Sequence, residues 1–149
     1  MNKFSTITLC LVFGATSTLA GDAITYAVDD QSYEDVLFGL ENAIIDAGLV
    51  ISDQNHVGEM LERTKADVGG TKSIYAHADV FGFCSAELSR AAMEADPLNI
   101  RFCPYRIFTF QENAEGPVVI GYDSLPNDAV MQDVQKLLDS LARAAVGLD

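Results

Sequence analysis

Two hydrophobic periods alternate along the chain, and their order predicts a mixed fold. Ile24-Thr25-Tyr26-Ala27-Val28 reads as a short strand, broken by Asp29-Asp30-Gln31. Ser32 followed by Asp35 forms a capping-box-like start, after which Tyr33, Leu37, Leu40 and Ile44 recur at helical spacing. Gly48 is placed to end that helix, and Leu49-Val50-Ile51 resumes as a strand. Val57 to Lys65 predicts a short second helix, closed by Gly69-Gly70. Lys72 to Cys84 reads as extended, most clearly over Val80-Phe81-Gly82-Phe83-Cys84.

Ser85 then caps a helix that buries Leu88, Ala91, Ala92 and Ala95 and stops before Pro97. Ile100 to Cys103 and Tyr105 to Phe110 have the aromatic and β-branched composition of a strand. Glu112 to Pro117 makes a turn, Val118 to Tyr122 answers as the hairpin partner, and Asp123 to Asn127 is a loop. Val130, Val134, Leu137, Leu141 and Ala145 mark a long final helix, with Asp133, Lys136, Asp139 and Arg143 on its polar face. Consecutive strands near the end favour a mostly antiparallel sheet with helices on one face, a single α+β domain.

The first twenty residues stand apart. Lys3 gives a positive start, Phe4 to Ala15 is mostly apolar, and Thr18-Leu19-Ala20 ends in small residues, the pattern of a secretory signal cleaved between Ala20 and Gly21. The apolar run is short of the ~18–20 residues that span a bilayer, and no later segment approaches it. The expected organisation is a signal peptide over 1–20 and one domain over 21–149. Periplasmic or secreted localisation follows, with no integral membrane segment in the mature chain.

Composition narrows the function classes. Of 149 residues, 49% are apolar, enough for a core and against a disordered chain. Lys and Arg number 9 against 22 Asp and Glu, a formal charge of -13. Nucleic-acid binding is excluded as an expectation, because phosphate contact needs a basic footprint. Export also changes the reading of the cysteines. Cys10 leaves with the signal, and Cys84 and Cys103 remain. The pair reads as a structural disulfide, as a reduced redox or metal-handling pair, or as two buried thiols. It is not a Cys-x-x-Cys motif, so thioredoxin-like chemistry has no local support.

Other candidate ligands are His56 and Met60, spaced i, i+4 as soft donors for Cu(I) or haem, and His77, which reaches Cys84 or Cys103 only through the fold. Met60 otherwise fills the core, and His77 otherwise sits on an exposed strand. Asp29-Asp30, Glu34-Asp35, Asp123 and Asp128 lack the spacing of a calcium loop. No nucleophile elbow, Walker loop, dinucleotide fingerprint or His-Glu-x-x-His occurs, so no enzyme is indicated, and the sequence leaves metal and cofactor unknown.

One resemblance goes beyond these patterns. Phe81-Gly82-Phe83-Cys84, the helix from Ser85 to Ala95, and Ile100-Arg101-Phe102-Cys103 followed by Tyr105 to Phe110 resemble the domain of unknown function 302 family. The match runs best over residues 32–122. Two departures stand out: Ser85-Ala86 replaces the Asn-Pro common after the first Cys, and Phe102 replaces the Pro common before the second. The resemblance implies a compact fold with later strands wrapped against a long C-terminal helix, similar to the TATA-binding-protein-like or helix-grip class. It implies no reaction.

Three function classes stay open at this stage. The first is a non-catalytic module that binds a small molecule or an exported protein, with Phe81, Phe83, Phe102, Phe108 and Phe110 as convergent lining. The second is a thiol redox or metal-handling protein, and the third a structural docking domain of a larger exported complex. A homodimer is compatible with all three.

Overall fold

A computed structural model describes residues 22–148; the expected signal segment and its cleavage point, Ala20 and Gly21, lie outside the described residues. The chain runs β1 (Ala23–Val28), α1 (Tyr33–Asp46), β2 (Val50–Asn55), α2 (Val57–Thr64), β3 (His77–Cys84), α3 (Ala86–Ala95), a 3-10 helix (Pro97–Phe102), β4 (Tyr105–Gln111), β5 (Val118–Asp123) and α4 (Ala129–Ala145). The five strands form one sheet in the order β1-β5-β4-β3-β2, and every neighbouring pair is antiparallel. This is the expected α+β architecture.

Local chemistry starts the helices where the sequence suggested. The Asp35 amide donates to Ser32 Oγ at 3.1 Å, the Leu88 amide to Ser85 Oγ at 3.3 Å, and the Met131 amide to Asp128 Oδ1 at 3.0 Å. Gly48 takes φ +74°, the left-handed region open to glycine, and ends α1.

Period-two alternation divides the sheet into a covered and an open face. On the covered face Phe81, Phe83, Tyr105, Ile107, Val118, Ile120 and Tyr122 meet α1 and α4. Val36, Leu40 and Ile44 descend from α1, and Val134, Leu138, Leu141 and Ala142 from α4. The space between sheet and long helix is therefore filled with side chains. The expected aromatic lining splits: Phe81 and Phe83 are core, whereas Phe108 and Phe110 stack on each other on the open face at 6.3 Å. Phe102 is half-buried, with the Arg101 guanidinium 4.6 Å from its ring centroid.

Three expectations need correction. Ile100 to Cys103 is not a strand. Asp96 caps a 3-10 helix opened by Pro97, and Leu98 and Ile100 point outward, 70% and 63% exposed. Strand β2 begins at Val50 and continues through the polar run to Asn55, because backbone pairing with β3 holds it extended regardless of side-chain polarity. In α3 only Ala92 is fully buried; Leu88 is half-buried, and Ala91 and Ala95 are exposed.

The nominally polar Asp139 of α4 faces inward toward β1 and β5. Tyr26 and Tyr122 donate their hydroxyls to its Oδ1 at 2.5 and 2.7 Å. Partial burial alone would raise its pKa; the two hydroxyl donors and the Arg143 charge outweigh it and hold Asp139 below the usual aspartate range.

The helices cross closely because of one residue. A Cβ at Gly39 of α1 would collide with the Ala145 carbonyl of α4. Alanine improves intrinsic helix propensity by about 1 kcal/mol in an exposed helix. Gly39→Ala nevertheless lowers stability here, by about 1–3 kcal/mol, because the crossing has to open. Denaturant unfolding checks the sign, and a stability equal to or above the parent means that α1 and α4 separate without cost.

Candidate functional site

The covered face carries one group foreign to a core. Asp79 lies in β3 two positions before Phe81 and only 7% exposed. Three side chains from three elements reach its carboxylate. Tyr33 at the head of α1 donates its hydroxyl to Oδ2 at 2.9 Å, and Gln54 of β2 donates Nε2–H to Oδ1 at 3.2 Å. His56 Nδ1 lies 2.5 Å from the same Oδ1. A carboxylate only accepts, so the ring nitrogen facing it, Nδ1, carries a proton and donates. The Tyr33 hydroxyl also meets Thr109 Oγ1 at 3.0 Å, and its ring stacks on His77 at 4.8 Å. Burial pushes the pKa of Tyr33 well above the ordinary tyrosine value, and the neighbouring Asp79 adds to the rise.

The geometry follows from unequal strand lengths. Strand β2 pairs with β3 only from Cys84 back to Val80, with a bulge between Ile51 and Asp53. The start of β3 is thus left without a strand on that side, and α2 packs there instead. Gly58 allows the approach, since a Cβ would stand 2.7 Å from the Ala78 amide nitrogen. His56 is the residue at the N-terminal boundary of α2, and its side chain makes no capping bond. It turns back to Asp79.

Outside this junction lies a groove of about 890 Å³, lined by Asp53, His56, Glu59, Met60, Arg63 and Arg106 among others. Met60 is 42% exposed, so it borders the groove and does not fill the core as expected. His56 and Met60 thus share one wall, as their spacing suggested, whereas His77 belongs to the Tyr33 stack. Position His77 opens β3 and Cys84 ends it, roughly 23 Å apart at ~3.3 Å per residue, so His77 cannot join the cysteines as a ligand. Among the described residues, no cluster of three or more His, Cys, Asp or Glu side chains is placed to hold a metal ion. A second hollow of about 770 Å³ runs along α4, lined by Ile24, Lys136, Asp139 and Arg143 among others.

The cysteines form a separate cluster at the far end of β3. Cys84 is its last residue, and Cys103 follows the 3-10 helix. Their sulfurs come within 2.7 Å, yet both are free thiols and no disulfide joins them. Ser89 Oγ stands 3.8 Å from Cys103 Sγ and donates to the Tyr105 hydroxyl at 3.4 Å. Desolvation, with the adjacent Cys103 sulfur, pushes the pKa of Cys84 up to about 11.

Sequence reading missed Asp79, Tyr33 and Gln54 as site residues. A clue was present: strict alternation puts Asp79 on the face of Phe81 and Phe83, where an aspartate needs partners.

Fold and site together define an α+β domain with one helix-covered sheet face, a buried carboxylate behind a histidine-walled groove, and a close thiol pair. The chain belongs to the DUF302 family, a domain of unknown function, whose family model matches residues 24–148. A solved structure, the crystal structure of an uncharacterized conserved DUF302 protein from Bacillus stearothermophilus, is similar at 20% identity. The likeness covers 83% of this chain and 97% of that one with a TM-score of 0.68, and at this identity it shows the fold alone. Among curated proteins, none matches the chain.

Two measurements follow from this geometry. Asp79→Ala leaves the buried Tyr33 hydroxyl and two more exposed donors, Gln54 and His56, without their acceptor and should cost about 1–3 kcal/mol in urea unfolding. A loss under about 1 kcal/mol means that water replaces the carboxylate. For the thiols, about one Cys84 in a thousand is ionised at ~pH 8, against about one in ten for an ordinary cysteine near 9. Iodoacetamide should therefore label reduced Cys84 slowly and accelerate as pH rises toward about 11. The same raised pKa favours the folded state below the ordinary thiol value and ceases to do so as pH climbs through about 11. Rapid labelling at neutral pH contradicts it.

Proposed function

We propose that this protein is an exported, non-catalytic accessory module that holds a small ligand in the groove between β2, α2 and the open sheet face. The observation that carries the reading is the His56–Asp79 pair. A buried carboxylate with three donors fixes the imidazole at the rim of the groove, with Nε2 unpartnered among the described residues. Burying a charge is costly unless it is paired and hydrogen-bonded, and a carboxylate satisfied in this way preorganises the polar group beside the cavity. His56 is a hydrogen-bonding group here. Among the described residues, no Ser, Thr or Cys side chain bonds it.

Export rests on the N-terminal pattern, with the mature chain beginning at Gly21. In an oxidising compartment the thiol pair closes by exchange with a small disulfide: the Cys84–Cys103 bond forms, the reagent's bond breaks, and the reagent leaves as two thiols. The close approach of the sulfurs supports a second reading, in which this exchange is itself the function. The raised pKa of Cys84 weighs against it, because the thiolate is the attacking species.

Native mass spectrometry on protein from its own host tests these readings together. The expected spectrum shows a chain starting at Gly21, two hydrogens lighter than the dithiol, with a small adduct that His56→Ala strips. An adduct that survives His56→Ala places the ligand elsewhere. A bare mass in both proteins sinks the binding module.

A further inference from the structure

The groove holds charges of both signs that do not satisfy one another. Arg63 comes from α2 and Arg106 from β4, so two distant parts of the chain bring arginines to the lining of one groove. Neither has an ion-pair or side-chain hydrogen-bond partner among the described residues, and Glu59 has none either. Glu59 and Arg63 stand at i, i+4 on α2 in the favourable order, acid before base, yet they do not pair. Elsewhere the same chain does pair such groups: Lys65 with Glu62, Arg90 with Glu94, and Lys136 with Asp133. In a protein with 22 acidic residues against 9 basic ones, acidic partners are plentiful. Two open guanidiniums in one groove are therefore a departure from its own habit.

Asp53 completes the set. Ser52 and Asn55 donate to its carboxylate at 3.1 and 2.6 Å and hold it over Gly82, where any side chain would collide with it. The groove thus offers two guanidiniums, one tethered carboxylate and one free carboxylate, beside the apolar surfaces of Met60 and Val80. A simple anion would be repelled by Asp53 and Glu59, and a simple cation by the arginines. A ligand carrying both charges meets neither penalty.

We infer that the ligand of this groove is a small zwitterion with an apolar side chain, a free amino acid or a short peptide. Its carboxylate meets Arg63 and Arg106, and its ammonium meets Glu59 and Asp53. Guanidinium suits a carboxylate because its planar fork donates in parallel to both oxygens. The inference rests on the groove being the binding site proposed above.

Calorimetric titration of the full mature chain tests it with matched probes. L-leucine and L-leucyl-L-leucine carry both charges; 4-methylpentanoate lacks the ammonium, and isoamylamine lacks the carboxylate. One of the zwitterions should bind at least about tenfold more tightly than either truncated probe, since each truncation leaves protein charges unmet. Which zwitterion is tighter separates amino acid from peptide. Arg63→Gln should weaken the zwitterion and the acid but leave the amine unchanged, and Glu59→Gln should do the reverse with the acid unchanged. Both side chains are exposed, so the variants fold. Equal binding of leucine and 4-methylpentanoate makes the groove an anion site and overturns the inference, and equal binding of isoamylamine overturns it as a cation site. If no probe binds while His56→Ala still strips a native adduct, the zwitterion is wrong and the groove reading stands. If no probe binds and the adduct is indifferent to His56, both fall.

Discussion

Gly39 has no Cβ, and the Ala145 carbonyl of α4 occupies the place one would take; the rest of the molecule is arranged around that approach. Two helices this close lie as one layer on one sheet face, and their apolar sides fill the space above Phe81, Phe83, Ile107 and Ile120. A close-packed interior of this kind leaves no room for a ligand above the central strands. Binding surface has to come from the sheet's edges and its open face. The tyrosine pair on Asp139 then ties α4 to β1 and β5 through hydrogen bonds.

At the opposite edge the sheet is incomplete, and that incompleteness makes the candidate site. The bulge in β2 and the turn into α2 at His56 leave the head of β3 without a strand. Helix α2 covers the gap, brought against the backbone by Gly58. Asp79, Gln54, His56 and Tyr33 meet where sheet edge, helix start and core come together. A carboxylate there is shielded from water yet one residue from the surface. Its three donors offset the desolvation, and its field orients the imidazole at the groove. The thiol pair occupies the other end of β3 from Asp79, and the groove reaches toward it through Pro104, the neighbour of Cys103.

Element types were legible in the residues, because periodicity and caps are local. Ser32, Ser85 and Asp128 sit where their side chains accept helix amides, and Gly48 ends α1. Two of the misread segments have different causes. Ile100 to Cys103 has strand composition, but Asp96-Pro97 closes a tight turn first and turns Leu98 and Ile100 to solvent. Ser52 to Asn55 is polar, but a neighbouring strand supplies the hydrogen bonds that hold it extended. Propensity yielded to a local cap in the first and to tertiary pairing in the second.

By itself the sequence determined a single α+β core, its helix boundaries, its acidic character and the pairing of two cysteines as candidates, since each depends on residue type and near-neighbour spacing. Only the tertiary structure decided which polar residues act together. Asp79 lies 46 residues from Tyr33 along the chain, and Arg63 and Arg106 come from different elements. The order β1-β5-β4-β3-β2 brings them together, and strand order is set by packing the whole core. His56 and Met60 were visible as a spaced pair; the carboxylate that orients His56 became visible only when β3 was laid beside β2. Long-range pairing carries no local period, so the site could be read only from the fold.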